Sequence, residues 1–540
     1  MEKYESRNLG HLGLFAAACN EMEIAQMVDD LIPKQAPNAK ISNGQCVVSL
    51  ILNGMGFMTQ SLYLAGDFFA DKPVARLLGE QIEAADINDD VLGRALDAVF
   101  LADPTKMYTI LSTKIVQKLG LEGRSAHLDS TSFHTDGRYN SDQELGEDSK
   151  VVKITKGYSR DFHPQANQII LDLIVENQAG IPIFMKSASG NSSDKTDFKK
   201  IIRDHIDQLQ NDHNIFYVIS DSALYCKEML EGIGQTLFIT RVPETTTEAK
   251  NLISSAHLQE FTRIDENYSF FEVPSNYGGV SQRLIVVKSL DAEAKEQKTA
   301  IKNATNQTQK HLKKWEDFQK KTFSCQEDAQ KAFEKCVQTL DFITIGPMEI
   351  QEIQKFKKPG KPQKGEYPKI EYKVKATAID NISRVEQNQN ECGFFILATN
   401  QLGEKALSGA DILKEYKGQI KAEKGFRFLK DPYFFASSLF LKKPERIMAL
   451  MMVMTLSLAV YAALEYKIRK NLTAQDTFFP DQKRKPTQTP TARWVFITFT
   501  GIHILNIKNK EHSTELILNL NEKHEIILNI LGKMYWDMYS

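Results

Sequence analysis

Apolar positions along the first 110 or so residues recur at helical spacing, in stretches such as VVSLILNGMGFM and VLGRALDAVF, and predict helices. From about residue 125 the pattern changes to strand-like runs. SAHLDSTSFH, QIILDLIVE and IPIFMKSASG are β-prone segments joined by short polar links containing Asn177 and Gly180, and they predict three strands, mostly antiparallel. DKTDFKKIIRDHIDQLQ then predicts a helix, NIFYVISDSAL a buried strand, CKEMLEGI a short helix and TLFITRVP another strand. Strands followed by helix-strand alternation point to an α/β domain with a mixed sheet.

From 245 to about 390 the pattern is interrupted by strand-like SFFEVPS and RLIVVKS, a charged helical tract over about 291–340, and a lysine-rich segment. ECGFFILATN resumes strand character. The expected organisation is a helical N-terminal domain over 1–115, a core over 120–244 and 391–475, an α+β insertion over 245–390, and a C-terminal segment over 476–540. PDQKRKPTQTPTA, residues 480–492, reads as a linker. Ile447 to Leu464 carries no charge and approaches the length that spans a bilayer, but Thr455, Ser457 and Tyr461 interrupt it and charged EYKIRK continues it. It is expected to be a core helix, with no membrane partner.

Ser408 and Asp411 give a capping signal and Pro432 disfavours helix at Asp431, which predicts one helix over about 409–430. At about 100° per residue, Tyr416, Gln419, Glu423 and Lys430 fall within an arc of roughly 60°. One face thus carries a phenol, an amide, a carboxylate and an ammonium; by itself this is also the pattern of a solvated helix face.

The chain is 42% hydrophobic and 25% charged, enough for a large core and several domains. Its six cysteines are widely separated with no C-x-x-C pair, which argues against a zinc ribbon or a disulfide framework and fits a reducing compartment. The N-terminus lacks a basic segment leading into an apolar one, so a cytoplasmic location is expected. A net charge of -2 excludes a uniformly basic nucleic-acid coat. Residues 21–104 hold 13 acidic and 5 basic residues. Residues 351–375 hold eight lysines against Glu352, Glu366 and Glu371, and Lys355, Lys357, Lys358 and Lys361 are candidates for following a phosphate backbone; a solvated loop has the same composition.

Asp129, in AHLDSTSFH, and Asp221, in FYVISDSALY, stand where apolar strands meet small polar links. Each alone is also what a turn or cap requires. With Glu423 they make a set of three carboxylates of the kind that holds a pair of Mg²⁺ ions. That set, the run Tyr416, Gln419, Glu423, Lys430, and the long insertion before the glutamate resemble the bacterial insertion-sequence transposases of the DDE class, whose signature is Y-x2-R-x3-E-x6-K; Gln419 replaces the arginine.

The resemblance implies an RNase H-like α/β fold, with a mixed sheet flanked by helices and interrupted by the insertion. It implies catalysis by Asp129, Asp221 and Glu423 on two Mg²⁺ ions, with Mn²⁺ able to substitute. Tyr416, Gln419 and Lys430 would contact DNA. The partners implied are transposon-end and target DNA, with a homodimer in the DNA complex, and the reaction is cleavage to a 3'-OH followed by strand transfer. Two other readings stay open: a second metal set of His127, Asp129 and His134, and a transposase-derived DNA-binding or regulatory protein without activity. D-S-T-S at 129–132 also resembles an aspartyl-phosphate loop, but Thr131 occupies the place of its second acid.

Overall fold

The computed structural model describes residues 3–32, 39–56, 64–135, 139, 150–158, 163–213, 215–355, 367–431, 441–508 and 513–540. The chain is a mixed α/β protein of two compact units. One comprises Met1–Thr240, Asn276–Val280 and Asp411–Ser540; the other comprises Arg241–Ser275 and Ser281–Ala410. The second unit extends past the expected boundary at 390 because the strand Phe394–Thr399 belongs to it. There it pairs antiparallel with the strand Val280–Ser289, from Phe394 opposite Lys288 to Thr399 opposite Arg283.

The first unit is built on β1 (Ser125–Thr135), β2 (Asn167–Glu176), β3 (Pro182–Ser189), β4 (Tyr217–Ser220) and β5 (Leu237–Arg241). Their order across the sheet is β3-β2-β1-β4-β5. β1, β2 and β3 form an antiparallel meander, and β4 and β5 run parallel to β1. β2 is buried along nearly its whole length, so its apolar run does not alternate with polar residues. The β2–β3 turn is closed by Glu176, whose carboxylate accepts the backbone N–H groups of Gln178 (2.6 Å), Ala179 (2.8 Å) and Ile181 (2.9 Å). Gly180 takes φ +81° there, a conformation that disfavours side chains with a Cβ.

Helix α1 (Pro104–Leu119) starts with Asp103 accepting the Lys106 N–H and ends at Gly120 in the left-handed region. It is pinned to β3 by Tyr108 Oη–H donating to Pro182 O (2.7 Å) and Ser112 Oγ–H to Ile183 O (2.8 Å). Helix α2 (Asp194–His213) follows β3. The helix expected over 409–430 is two helices, α3 (Gly409–Lys417) and α4 (Ile420–Leu429).

Helix α5 (Pro444–Ala474) is long and apolar enough to cross a membrane, but 83% of its most apolar window is buried in the protein. It packs against the helices Asn43–Gly54 and Asp89–Leu101, and against α1, α4 and β3. The Thr455 and Ser457 hydroxyls donate to Met451 O (2.8 Å) and Val453 O (2.9 Å), so the polar interruptions are satisfied inside the core. The strand Lys3–Asn8 pairs with His503–Lys508, which pairs with Ser513–Leu518, drawing both ends of the chain into one sheet. Within the stretch expected to be a linker, Phe479–Pro480 pairs with Pro486–Thr487.

In the second unit the charged tract forms two helices, Leu290–Gln319 and Gln326–Val337, followed by a ribbon of Glu349–Lys355 paired with Lys369–Lys375. Its core gathers Trp315, Phe318, Ala329, Leu340, Ile343 and Val374. Trp315 stacks on Phe318 with centroids 5.4 Å apart and is core rather than a surface aromatic.

Candidate active site

Leu128 of β1 lies opposite Ser220 of β4 at the last rung of their parallel pairing. Asp129 and Asp221 are the next residues on each chain, so the two carboxylates leave neighbouring strands side by side, with backbones about 5 Å apart. Both side chains are half-buried. Asp129 Oδ1 accepts the Ser130 N–H at 2.8 Å, and Asp221 Oδ1 accepts the Ala223 N–H at 2.9 Å. The end of β4 is further held by Thr240 of β5, whose hydroxyl donates to Asp221 O at 2.7 Å. These contacts fix the backbone that carries the carboxylates.

The paired helices run along β1. At one end the Ser125 hydroxyl donates to Glu415, which also accepts Asn177 Nδ2–H at 2.8 Å. At the other, the Lys430 ammonium lies 5.7 Å from the Phe133 ring centroid. Ser125, His127, Asp129, Thr131 and Phe133 alternate onto one face of β1, so the helices cover the face that bears Asp129. Eight strand residues span roughly 26 Å and fifteen helical residues roughly 22 Å. Asp129, midway along the strand segment, is therefore level with the turn holding Ala422 and Glu423.

The junction between the helices is a tightened turn. Gly418 N–H donates to Glu415 O and Gln419 N–H to Tyr416 O, both at 3.0 Å, where an uninterrupted helix would bond four residues back. Gly418 lies so close to Asn177 that an added Cβ would stand 2.0 Å from its Oδ1. Tyr416 and Gln419 lie at this junction and are half-buried, Lys430 closes α4 and is half-buried, and Glu423 in its first turn is exposed. Lys421 leaves α4 on the flank facing the β2–β3 turn and donates to Asn177 O and Gln178 O. Glu423, roughly 200° further round, leaves from the opposite flank, the one from which Lys430 reaches Phe133.

Among the described residues, no three of the His, Cys, Asp and Glu side chains converge closely enough to hold a metal ion. The strand register sets Asp129 and Asp221 side by side, and Glu423 leaves the helix that covers their face. The second set from the sequence is divided by the sheet: His127 and Asp129 share one face of β1 and His134 points to the other, its ring 4.8 Å from that of His163. His127 is fully buried, and burial pushes its pKa down to about 3.

The lysine segment is only partly described. Lys357, Lys358 and Lys361 lie outside the described residues. Lys355 is bound to Glu371 at 2.9 Å, and Lys369 reaches the same carboxylate at 3.2 Å. The hydrogen bonds from Lys355, Thr322 and Lys369 hold the Glu371 pKa down to about 2, so this carboxylate is ionised between the two lysines and offsets one of their two charges.

The site is thus a carboxylate midway along β1, which runs on to Thr135 where the sequence suggested a polar link after Asp129, beside one at the end of β4, flanked by a helix carrying a third acid and a cation. A family profile described as a domain of unknown function (DUF4277) matches residues 4–113, within the N-terminal helical region. No curated protein matches the chain. Among solved structures, the chain is similar to a piggyBac transposase synaptic complex with hairpin DNA, at 10% identity and a TM-score of 0.37, over 92% of this chain and 82% of that one.

Proposed function

We propose that the chain is a DDE transposase, which cleaves the phosphodiester backbone at the ends of an insertion sequence and joins the 3'-OH ends to target DNA. The observation that carries this reading is the side-by-side placement of Asp129 and Asp221 on adjacent parallel strands, beneath the helix pair bearing the Y-x2-Q-x3-E-x6-K run. The order β3-β2-β1-β4-β5, with the first three strands antiparallel and the last two parallel to β1, supports an RNase H-like core.

In this reading Asp129 and Asp221 are the carboxylates that would hold Mg²⁺, since their oxygens are the hard donors it prefers and both are half open to solvent. Bound there, two such ions would supply a hydroxide for attack and stabilise the leaving oxygen. Glu423, on the helix over this face, is the third carboxylate of this reading. Lys430 and Tyr416 hold phosphates beside the cut, and Gln419 adds a neutral hydrogen bond to the same backbone. Two copies of the chain bring two DNA ends together.

The test is a cleavage assay on a duplex bearing the element end, with Mg²⁺ or Mn²⁺, for wild type, Asp129→Ala and Asp221→Ala, beside a binding assay. Cleavage lost with end binding retained is the expected outcome. Equal cleavage by all three proteins overturns the assignment.

A further inference from the structure

The second unit carries a groove of about 620 Å³ between the helices Leu290–Gln319 and Gln326–Val337. Its rim holds Lys310, Lys313, Lys314 and Lys321 from the first helix and its following turn, and Lys335 from the second. All five are exposed, and Asp317 is the one acidic residue in the lining. Asp317 is bound to Lys320 at 2.8 Å, and that hydrogen bond holds its carboxyl below the usual range. Among the described residues Lys310, Lys313, Lys321 and Lys335 form no ion pair, whereas Lys314 donates to the Thr339 hydroxyl at 2.8 Å. The floor is apolar, formed by Phe318, Phe323, Ala332 and Cys336. Five cations concentrated along one groove repel one another, a cost that an anionic occupant relieves.

We propose that this groove binds the sugar-phosphate backbone of a nucleic acid. Lys310, Lys314 and Lys321 are spaced roughly 6 and 10 Å apart along the helix axis, a linear array that a run of phosphates can follow. Lys335 on the second helix gives the groove a charged opposite wall. By contrast, Lys355 and Lys369 on the ribbon already share Glu371. The lysines that remain available for phosphates in this unit therefore include those of the helix groove, not the described ribbon pair. The proposal rests on the transposase reading only for the identity of the nucleic acid as element or target DNA.

The experiment compares the full-length chain with Lys310→Gln/Lys313→Gln/Lys321→Gln/Lys335→Gln, using a fluorescent random-sequence DNA duplex over a salt series. A control variant neutralises Lys114, Lys483, Lys485 and Lys523 in the other unit. Circular dichroism melts verify that both variants fold. The expected result is weaker binding by the groove variant and a shallower dependence of log affinity on log salt, by about 3 to 4 for four phosphate contacts at roughly 0.9 each. The control should lose less of the slope. A groove variant with the wild-type slope overturns the proposal. So does loss of polyglutamate binding with duplex binding intact, which would assign the groove to an acidic protein segment. Neither readout involves cleavage, so failure of the catalytic reading and failure of this one are distinguishable.

Discussion

Two carboxylates held side by side by a sheet register should destabilise the chain until a cation joins them, and Asp221→Asn isolates that effect. With the charges about 5 Å apart, Coulomb repulsion is about 1 kcal/mol at the dielectric of water and about 3 kcal/mol at an effective dielectric near 20. Both groups are half-buried beside solvent, so about 1 kcal/mol is the working figure. Asparagine keeps an oxygen to accept the Ala223 N–H, so the local turn survives and the lost charge is the main change. In chelator at low salt, Asp221→Asn should melt higher than wild type, by of order 2 °C for that energy in a large unit. Divalent ion should then reverse the order. At a Mg²⁺ or Mn²⁺ concentration about 100 times Kd, wild type gains about 2.7 kcal/mol and the variant, lacking a ligand, gains little. Thermal melts with and without the ion measure both halves without requiring cleavage. A variant less stable than wild type in chelator, together with a wild-type melt indifferent to the ion, would refute the reasoning.

Glu423→Gln should abolish cleavage while leaving end binding within a few-fold of wild type, and Lys430→Ala should reduce both; the same binding and cleavage assays separate them, and near wild-type cutting by Glu423→Gln would return that residue to a solvated helix face. Gly418→Ala should destabilise the first unit by about 1–3 kcal/mol, because its Cβ would stand 2.0 Å from Asn177 Oδ1; denaturation of Gly418→Ala alone and with Asn177→Ala should show partial rescue. His11 is fully buried beside Met55 O, and burial pushes its pKa down to about 4 from an ordinary 6.5. Because the folded chain holds this ring neutral, its contribution is present above pH 6.5 and is lost as pH falls towards 4, by about 2 kcal/mol at pH 5. Melts of wild type and His11→Gln between pH 7 and 5 should converge as the pH falls.

The parts legible in the sequence are those fixed by residues close together in the chain. Alternation and apolar runs place β1 to β5, and Asp221 follows the end of β4 as its apolar run leads one to expect; Asp129 does not end its strand, because β1 runs on to Thr135 paired along its length with β2. The break at Gly418 is different. The helix signals on either side are good, and what tightens the turn is the approach of Asn177, a turn residue more than 200 positions earlier. A capping pattern and a helical period carry no trace of that contact, so the four-residue stripe looks continuous in sequence and is divided in space.

Charge shows the same limit in reverse. The eight lysines between 351 and 375 are conspicuous because they are consecutive in composition, yet the β-ribbon register sets Ile353 opposite Glu371 and brings Lys355 and Lys369 onto that carboxylate. Four of the five groove lysines lie within residues 310–321, KHLKKWEDFQKK, where Glu316 and Asp317 stand among them, and the fifth, Lys335, comes from the second helix. Net charge over a segment counts cations; binding depends on which of them the fold leaves without a carboxylate. That distinction is made by strand register and helix packing, and it sets the groove lysines apart from Lys355 and Lys369.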